Sequence, residues 1–218
     1  RIEAELKYLA GYEVNYSNDY QKLILTFIKS PLIKRTLVID AGHGGVDMGA
    51  TGNQGTHEKD INFEVTLRLK ELLDEAGANV VLTRNGDYFI SLYERDFIAN
   101  QLKADLFVSI HTNFHPNPNV HGLEVFCYKG MADSALLAEK VAAETIKQTG
   151  LISLGVKNND FVVIREALMP SILVELGFLS HASEETLINT AKFKEQAALG
   201  IYNGIIAYYN AKQVAQQQ

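Results

Sequence analysis

The chain has one cysteine, Cys127, so no disulfide can form within it, and zinc sites built from paired cysteines are excluded. A lone thiol fits either side of a membrane. Long basic runs are missing too. Lys and Arg number 20 against 26 Asp and Glu, for a net charge of −6 at pH 7. Nucleic-acid binding calls for a basic stripe and is not expected. No apolar stretch is long enough to span a bilayer, so no transmembrane segment is expected, and no signal peptide is visible. The chain opens with Arg1 rather than Met, which suggests a processed or cloned piece of a longer chain. The missing leader is then silent on compartment. Several motifs are absent as well. "GHGGVDMG" does not fit G-x-G-x-x-G and no G-K-[ST] follows it, which argues against a nucleotide loop. "HEKD" is not H-E-x-x-H, and no G-x-S-x-G elbow occurs.

What is present suits one globular domain with a small appendage: 218 residues, 47% hydrophobic and 21% charged. Residues 1–33 read as a β segment. "GYEVNY" and "YQKLILTFI" flank the polar turn "SND", and Pro31 closes the stretch. It is either the remnant of an upstream domain or a hairpin packed on the main one. Residues 34–218 form the second unit, in which strands and helices alternate. "RTLVID", "NVVLTR", "DLFVSIH", "GLEVFCY", "FVVIRE" and "PSILVEL" read as short strands. "DINFEVTLRLKELLDEAGA" has apolar residues at helical spacing. "SLYERDFIANQLKA" begins with Ser91 and Glu94 at capping-box spacing. "DSALLAEKVAAETIKQTG" and "FKEQAALGIYNGIIAYY" are further helices, and the tail "VAQQQ" is expected to fray. The fold class is α/β, a mostly parallel twisted sheet with helices on both faces.

Ligands bind such sheets beyond the carboxyl ends of the strands. His43 follows "TLVIDAG", His111 follows "DLFVSI", Glu175 follows "PSILV" and Arg84 follows "NVVLT". If the strands are neighbours, His43, His111 and Glu175 converge on one edge. Glu58 lies just before the first long helix, where the macrodipole favours a carboxylate. Two imidazoles and a carboxylate with an open fourth position make one known type of catalytic zinc site. Such an ion lowers the pKa of water from ~15.7 to about 7. Each histidine alone is more often an ordinary polar residue than a ligand, and a carboxylate at a helix start is commonplace. Glu175 is more telling, because a carboxylate in "SILVELGF" is costly unless paired or functional. Its structural alternative is a pair with Arg165 or Arg84. His57 is the best substitute ligand for Glu58. His121 and His181 read as surface groups or supports of the site.

The stretches "LVIDAGHGGVDMGATGNQGTHEKDIN", "VVLTR", "ADLFVSIHTN", "GLEVF", "GVKNNDFVVIRE" and "MPSILVELGFLS" resemble, in order, the zinc-dependent N-acetylmuramoyl-L-alanine amidases. The resemblance runs from about Lys34 to Tyr209 and leaves out residues 1–33. It implies hydrolysis of the amide between N-acetylmuramic acid and the L-alanine of a peptidoglycan stem peptide. It implies one zinc ion held by His43, Glu58 (not His57) and His111, with Glu175 as the catalytic acid and base. Asn113, Arg84 and Arg165 are candidate substrate contacts, and Asp40 a candidate support of the His43 ring. Two departures stand out: Ala41 where the family often has Pro, and Leu154 where it often has Arg before "GVK", which puts a substrate contact in doubt. Some members carry a helical insertion that blocks the zinc. Here the corresponding stretch holds one ordinary helix and short turns, so an open site is expected. The expected partner is peptidoglycan, the expected state a monomer, and the expected location extracytoplasmic. The competing expectations are a zinc peptidase or deacetylase acting on another cell-wall bond, and a wall-binding module without activity.

Overall fold

A computed structural model describes residues 9–18 and 20–215. In chain order it has β1 (Leu9–Tyr16), β2 (Leu23–Lys29), β3 (Thr36–Ala41), α1 (Glu58–Glu75), β4 (Asn79–Leu82), α2 (Leu92–Gln101) and β5 (Leu106–Asn113). There follow β6 (Leu123–Cys127), α3 (Ala132–Thr149), β7 (Ser153–Asn158), α4 (Val162–Arg165), β8 (Ser171–Phe178), α5 (Ala182–Ile188) and α6 (Ala191–Ala215).

The six strands from β3 on form one sheet in the order β4-β3-β5-β8-β6-β7. β4, β3, β5 and β8 run parallel, β6 is antiparallel to β8, and β7 is parallel to β6. The reversal at β6 follows from its connection. Residues 114–122 make a short loop, whereas a parallel crossover takes a dozen or more residues. Alternate side chains of each strand enter two different cores, as the two-residue strand period requires. Leu37, Ile39, Val108, Ile110 and Val174 pack under α1, α3 and α6. Val38, Phe107, Phe126 and Leu173 pack under α2 and α4 with Ala99 and Ile164.

Most expected elements are present, and the capping box of Ser91 and Glu94 forms at the start of α2. Three differ. "FVVIRE" is the one-turn helix α4, not a strand. A short continuous apolar run does not distinguish a strand from a buried helical turn. Here the sheet edge is taken by β7, and Val163 and Ile164 are buried against the second core. β7 itself was not foreseen; "SLGVKN" is polar and mostly exposed, as suits an edge strand. α5 is likewise new. β1 and β2 pair as a two-stranded sheet separate from the main one. Tyr12, Tyr16, Leu23 and Phe27 of that hairpin are exposed, while Leu32 just beyond it is fully buried in the main core. α6 continues to Ala215, so the frayed tail expected from Val214 on falls partly on helix; residues 216–218 lie outside the described residues.

Candidate metal and catalytic site

The loop after β3 is bent hard. His43 has φ 63°, in the left-handed region that non-glycine residues rarely occupy. What holds it there are two buried arginines. Arg95 of α2 donates to the carbonyls of Ala41 (2.7 Å) and His43 (2.9 Å). Arg84, after β4, donates to the carbonyls of Ala41 (2.9 Å), Gly42 (3.2 Å) and Lys59 (2.8 Å), tying the loop to the start of α1. The glycines serve close approach. A Cβ on Gly42 would lie 2.3 Å from the His111 ring, and one on Gly44 2.4 Å from the Tyr88 carbonyl oxygen.

His43, Glu58 and His111 meet at this loop. Each offers one ligand atom, and the three atoms lie within 4.8 Å of one another. Glu58 Oε1 is 2.8 Å from His111 Nδ1 and 3.2 Å from His43 Nε2. The carboxylate is fixed by more than these. Oε2 accepts from the Ala50 N–H (2.8 Å), and Oε1 accepts from the Thr112 N–H (3.1 Å). Burial works to raise the Glu58 pKa, but the hydrogen bonds and charge of His111 and His43 overcome it and hold the group far below the carboxylate range. The donor set fits a divalent ion that takes nitrogen and oxygen ligands. His57 lies at the N-cap of α1 and pairs with Thr51 Oγ1 (3.2 Å), outside this group.

Glu175 sits beside the cluster, since β8 pairs with β5 so that Glu175 faces His111 in register. Its Oε2 is buried and has no hydrogen-bond partner. Burial first, then the negative charges of Glu58 and Glu124, push its pKa well above the usual value. Neither arginine considered as its partner reaches it. Arg165 pairs with Glu166 (2.8 Å) and Asp160 (3.1 Å). Arg84 is 1% exposed and is spent on backbone carbonyls, which puts its guanidinium beneath the site rather than in a substrate's path. Asn113 donates to Glu124 Oε2 (2.9 Å). Asp40 does not touch the His43 ring. It is fully buried below the loop and accepts from Arg95 of α2 (2.7 Å), Thr83 just after β4 (2.6 Å) and Ser109 of β5 (2.6 Å). The residue that does hold the ring is Asp47, whose Oδ2 lies 2.8 Å from His43 Nδ1. Sequence reasoning missed it. The signal available was a carboxylate four residues after the histidine across a glycine turn.

Two cavities open on the cluster. One of about 340 Å³ is lined by His43, Asp47, Phe89, Ile90, Leu92 and His111. The other, about 160 Å³, is lined by Leu92, His111, Phe161, Val162, Leu173 and Glu175. They share Leu92, His111 and Val163, so His43, His111 and Glu175 line adjoining parts of one groove with apolar walls. α3, the only helix between β6 and β7, packs against α6 on the opposite face and leaves the groove uncovered.

Two imidazoles and a carboxylate whose donor atoms lie close enough to hold a metal, at the carboxyl edge of an α/β sheet with a buried carboxyl alongside, make the site of a hydrolase. The chain belongs to one particular family of that class: residues 37–207 match the family described as N-acetylmuramoyl-L-alanine amidase. It is 38% identical to the N-acetylmuramoyl-L-alanine amidase LytC of Bacillus subtilis (strain 168) over 185 residues, which is 84% of this chain and 37% of LytC. The chain thus spans little more than a third of that relative. Among solved structures, the catalytic domain of CwlV, an N-acetylmuramoyl-L-alanine amidase from Bacillus (Paenibacillus) polymyxa var. colistinus, is 36% identical. It has a TM-score of 0.78 and covers 81% of this chain and 98% of that one. The CwlD amidase of Clostridioides difficile, solved in complex with the GerS lipoprotein, is 33% identical with a TM-score of 0.79. That match covers 82% of this chain and all of CwlD.

Proposed function

We propose that this protein is a zinc-dependent hydrolase of peptidoglycan that cleaves the amide between N-acetylmuramic acid and L-alanine. One zinc ion is held by His43, Glu58 and His111, and Glu175 carries the proton. The observation that supports this most is the buried, unpartnered Oε2 of Glu175 beside a ready-made donor set. Such an orphan is costly unless it has work to do. Bound zinc supplies Lewis acidity to the scissile carbonyl and to water. The remaining roles belong to the chain. Asp47 takes up His43 Nδ1 and leaves Nε2 free for the ion. Arg84 and Arg95 hold the carbonyls of residues 41–43 and so fix where His43 points. Phe89, Leu92 and Val163 give the groove apolar walls. Glu175, as carboxylate, takes the proton of the attacking water and returns it to the departing alanine amine.

The uncovered groove supports an enzyme that needs no partner to expose its site. The same reading makes it a monomer acting outside the cytoplasmic membrane. No helix among the described residues is long and apolar enough to cross one.

Digestion of purified peptidoglycan, read by mass spectrometry, tests the bond specificity. Intact stem peptides and lactyl-bearing glycans are expected, with loss of both on chelation. Shortened peptides or deacetylated sugars would point to a peptidase or deacetylase instead. Glu175→Gln is expected to keep its zinc and lose at least a hundredfold in turnover, on the order of general acid–base effects. His43→Ala is expected to lose zinc by elemental analysis.

A further inference from the structure

The reaction places the alanine amine against Glu175, so the stem peptide starts there. What lies beyond Glu175, away from the ligand cluster, is the floor made by β6 and β7. Glu124 of β6 stands opposite Glu175 in the antiparallel register, so the two side chains share a face. Phe126, two residues on and therefore on the same face, stands opposite Lys157 of β7. The Lys157 ammonium is hydrogen-bonded to Glu124 Oε1, and the other Glu124 oxygen is taken by Asn113.

Glu124 is 7% exposed and both its oxygens are engaged. Lys157 differs, because its side chain is 46% exposed. An ammonium has three N–H donors, and Glu124 uses one. Among the described residues the ammonium has no other hydrogen-bond partner. Arg165 of α4 is already spent on Asp160 and Glu166.

We propose that Lys157 receives a carboxylate of the stem peptide, which makes the enzyme prefer substrates whose residue after alanine is acidic. The spacing agrees. β7 lies two strand separations from β8, about 10 Å. A peptide advances about 3.5 Å per residue, so a carboxylate on the side chain of the next residue reaches that distance. Glu124 acts as a fixed counter-charge that aims the ammonium, and Asn113 keeps it in place. The inference rests on the amidase reading.

The test uses two synthetic muramoyl-alanyl substrates that differ only in whether the residue after alanine bears a free carboxylate or its amide. The wild-type zinc enzyme is expected to favour the acid by about tenfold in kcat/KM, carried by KM, as suits one charge-assisted bond. Lys157→Met is expected to bring that ratio to about one, and Lys157→Arg to keep most of it. Should Lys157→Met misfold because Glu124 is left half-paired, the double variant Glu124→Gln/Lys157→Met serves, with the same expected ratio. A wild-type ratio near one, or a preference that survives loss of Lys157, overturns the proposal. A wild-type enzyme that cleaves neither substrate overturns the amidase reading beneath it.

Discussion

Replacing Asp47 by Ala removes the acceptor that holds the His43 ring at 2.8 Å and leaves the ring's other nitrogen without an oriented partner. Such outer partners typically govern 10–100-fold in metal affinity. Asp47→Ala is therefore expected to weaken zinc by that order in competition with a chromophoric chelator, with an unchanged circular dichroism spectrum. At this scale the sequence was readable where a residue's position followed from a strand end. His43, His111 and Glu175 could be placed together because strands of one sheet end at one edge. Asp47 and Asp40 could not be told apart in the same way. Asp40 is three residues before His43, but it points from the strand into the core beneath. Asp47 returns through a turn closed by the paired backbones of Gly44 and Asp47, and turn geometry of that kind leaves no periodicity to read.

α2 carries Arg95 toward the His43 loop on one side and Asp96 into the second core beside it. Asp96 is 2% exposed and neither of its oxygens has a hydrogen-bond partner. Burial first, then the charges of Asp40 and Glu166, push its pKa up to about 7. In the unfolded chain the same group loses its proton near pH 3.9. Between these values the folded state binds more protons, so this group's contribution falls as pH rises. Asp96→Asn abolishes the titration. Its stability relative to wild type is expected to be more favourable at pH 8 than at pH 5, by on the order of 2 kcal/mol. Urea unfolding at both pH values measures it, and an equal difference at the two would refute it. Neighbouring Asp40 has the opposite sense. Its pKa is lowered despite burial, by Arg95, Ser109 and Thr83, so its contribution is intact above about pH 3.9 and fades only in acid. Element by element, the long amphipathic helices and the capped start of α2 were legible. α4 and β7 were not, because a one-turn helix and a polar edge strand each depend on what is already packed next to them.

For the molecule as a whole, the boundary near Pro31 is also a boundary of burial. Leu32 is fully enclosed by the main core, whereas the described side chains of the preceding hairpin lie largely open. We expect a chain beginning at Ser30 to keep the melting temperature of the longer one within about 2 °C, since none of the described core residues is lost. A drop of ten degrees would mean that the hairpin is packed against the domain. The sequence has a change of pattern near Pro31, but it does not say whether the segment before it belongs to the domain after it. That depends on which apolar surface covers the hairpin, and alternation within its strands does not say.

Cys127 lies in β6, 2% exposed, at the point where the strand direction of the sheet reverses, and burial pushes its thiol away from the reactive thiolate. Being the only sulfhydryl, it gives each molecule a single chemical clock. An alkylating reagent that marks it does so when β6 parts from its neighbours. The time course of labelling then records how often the antiparallel half of the sheet opens, with no probe to be engineered and no second site to confuse the trace.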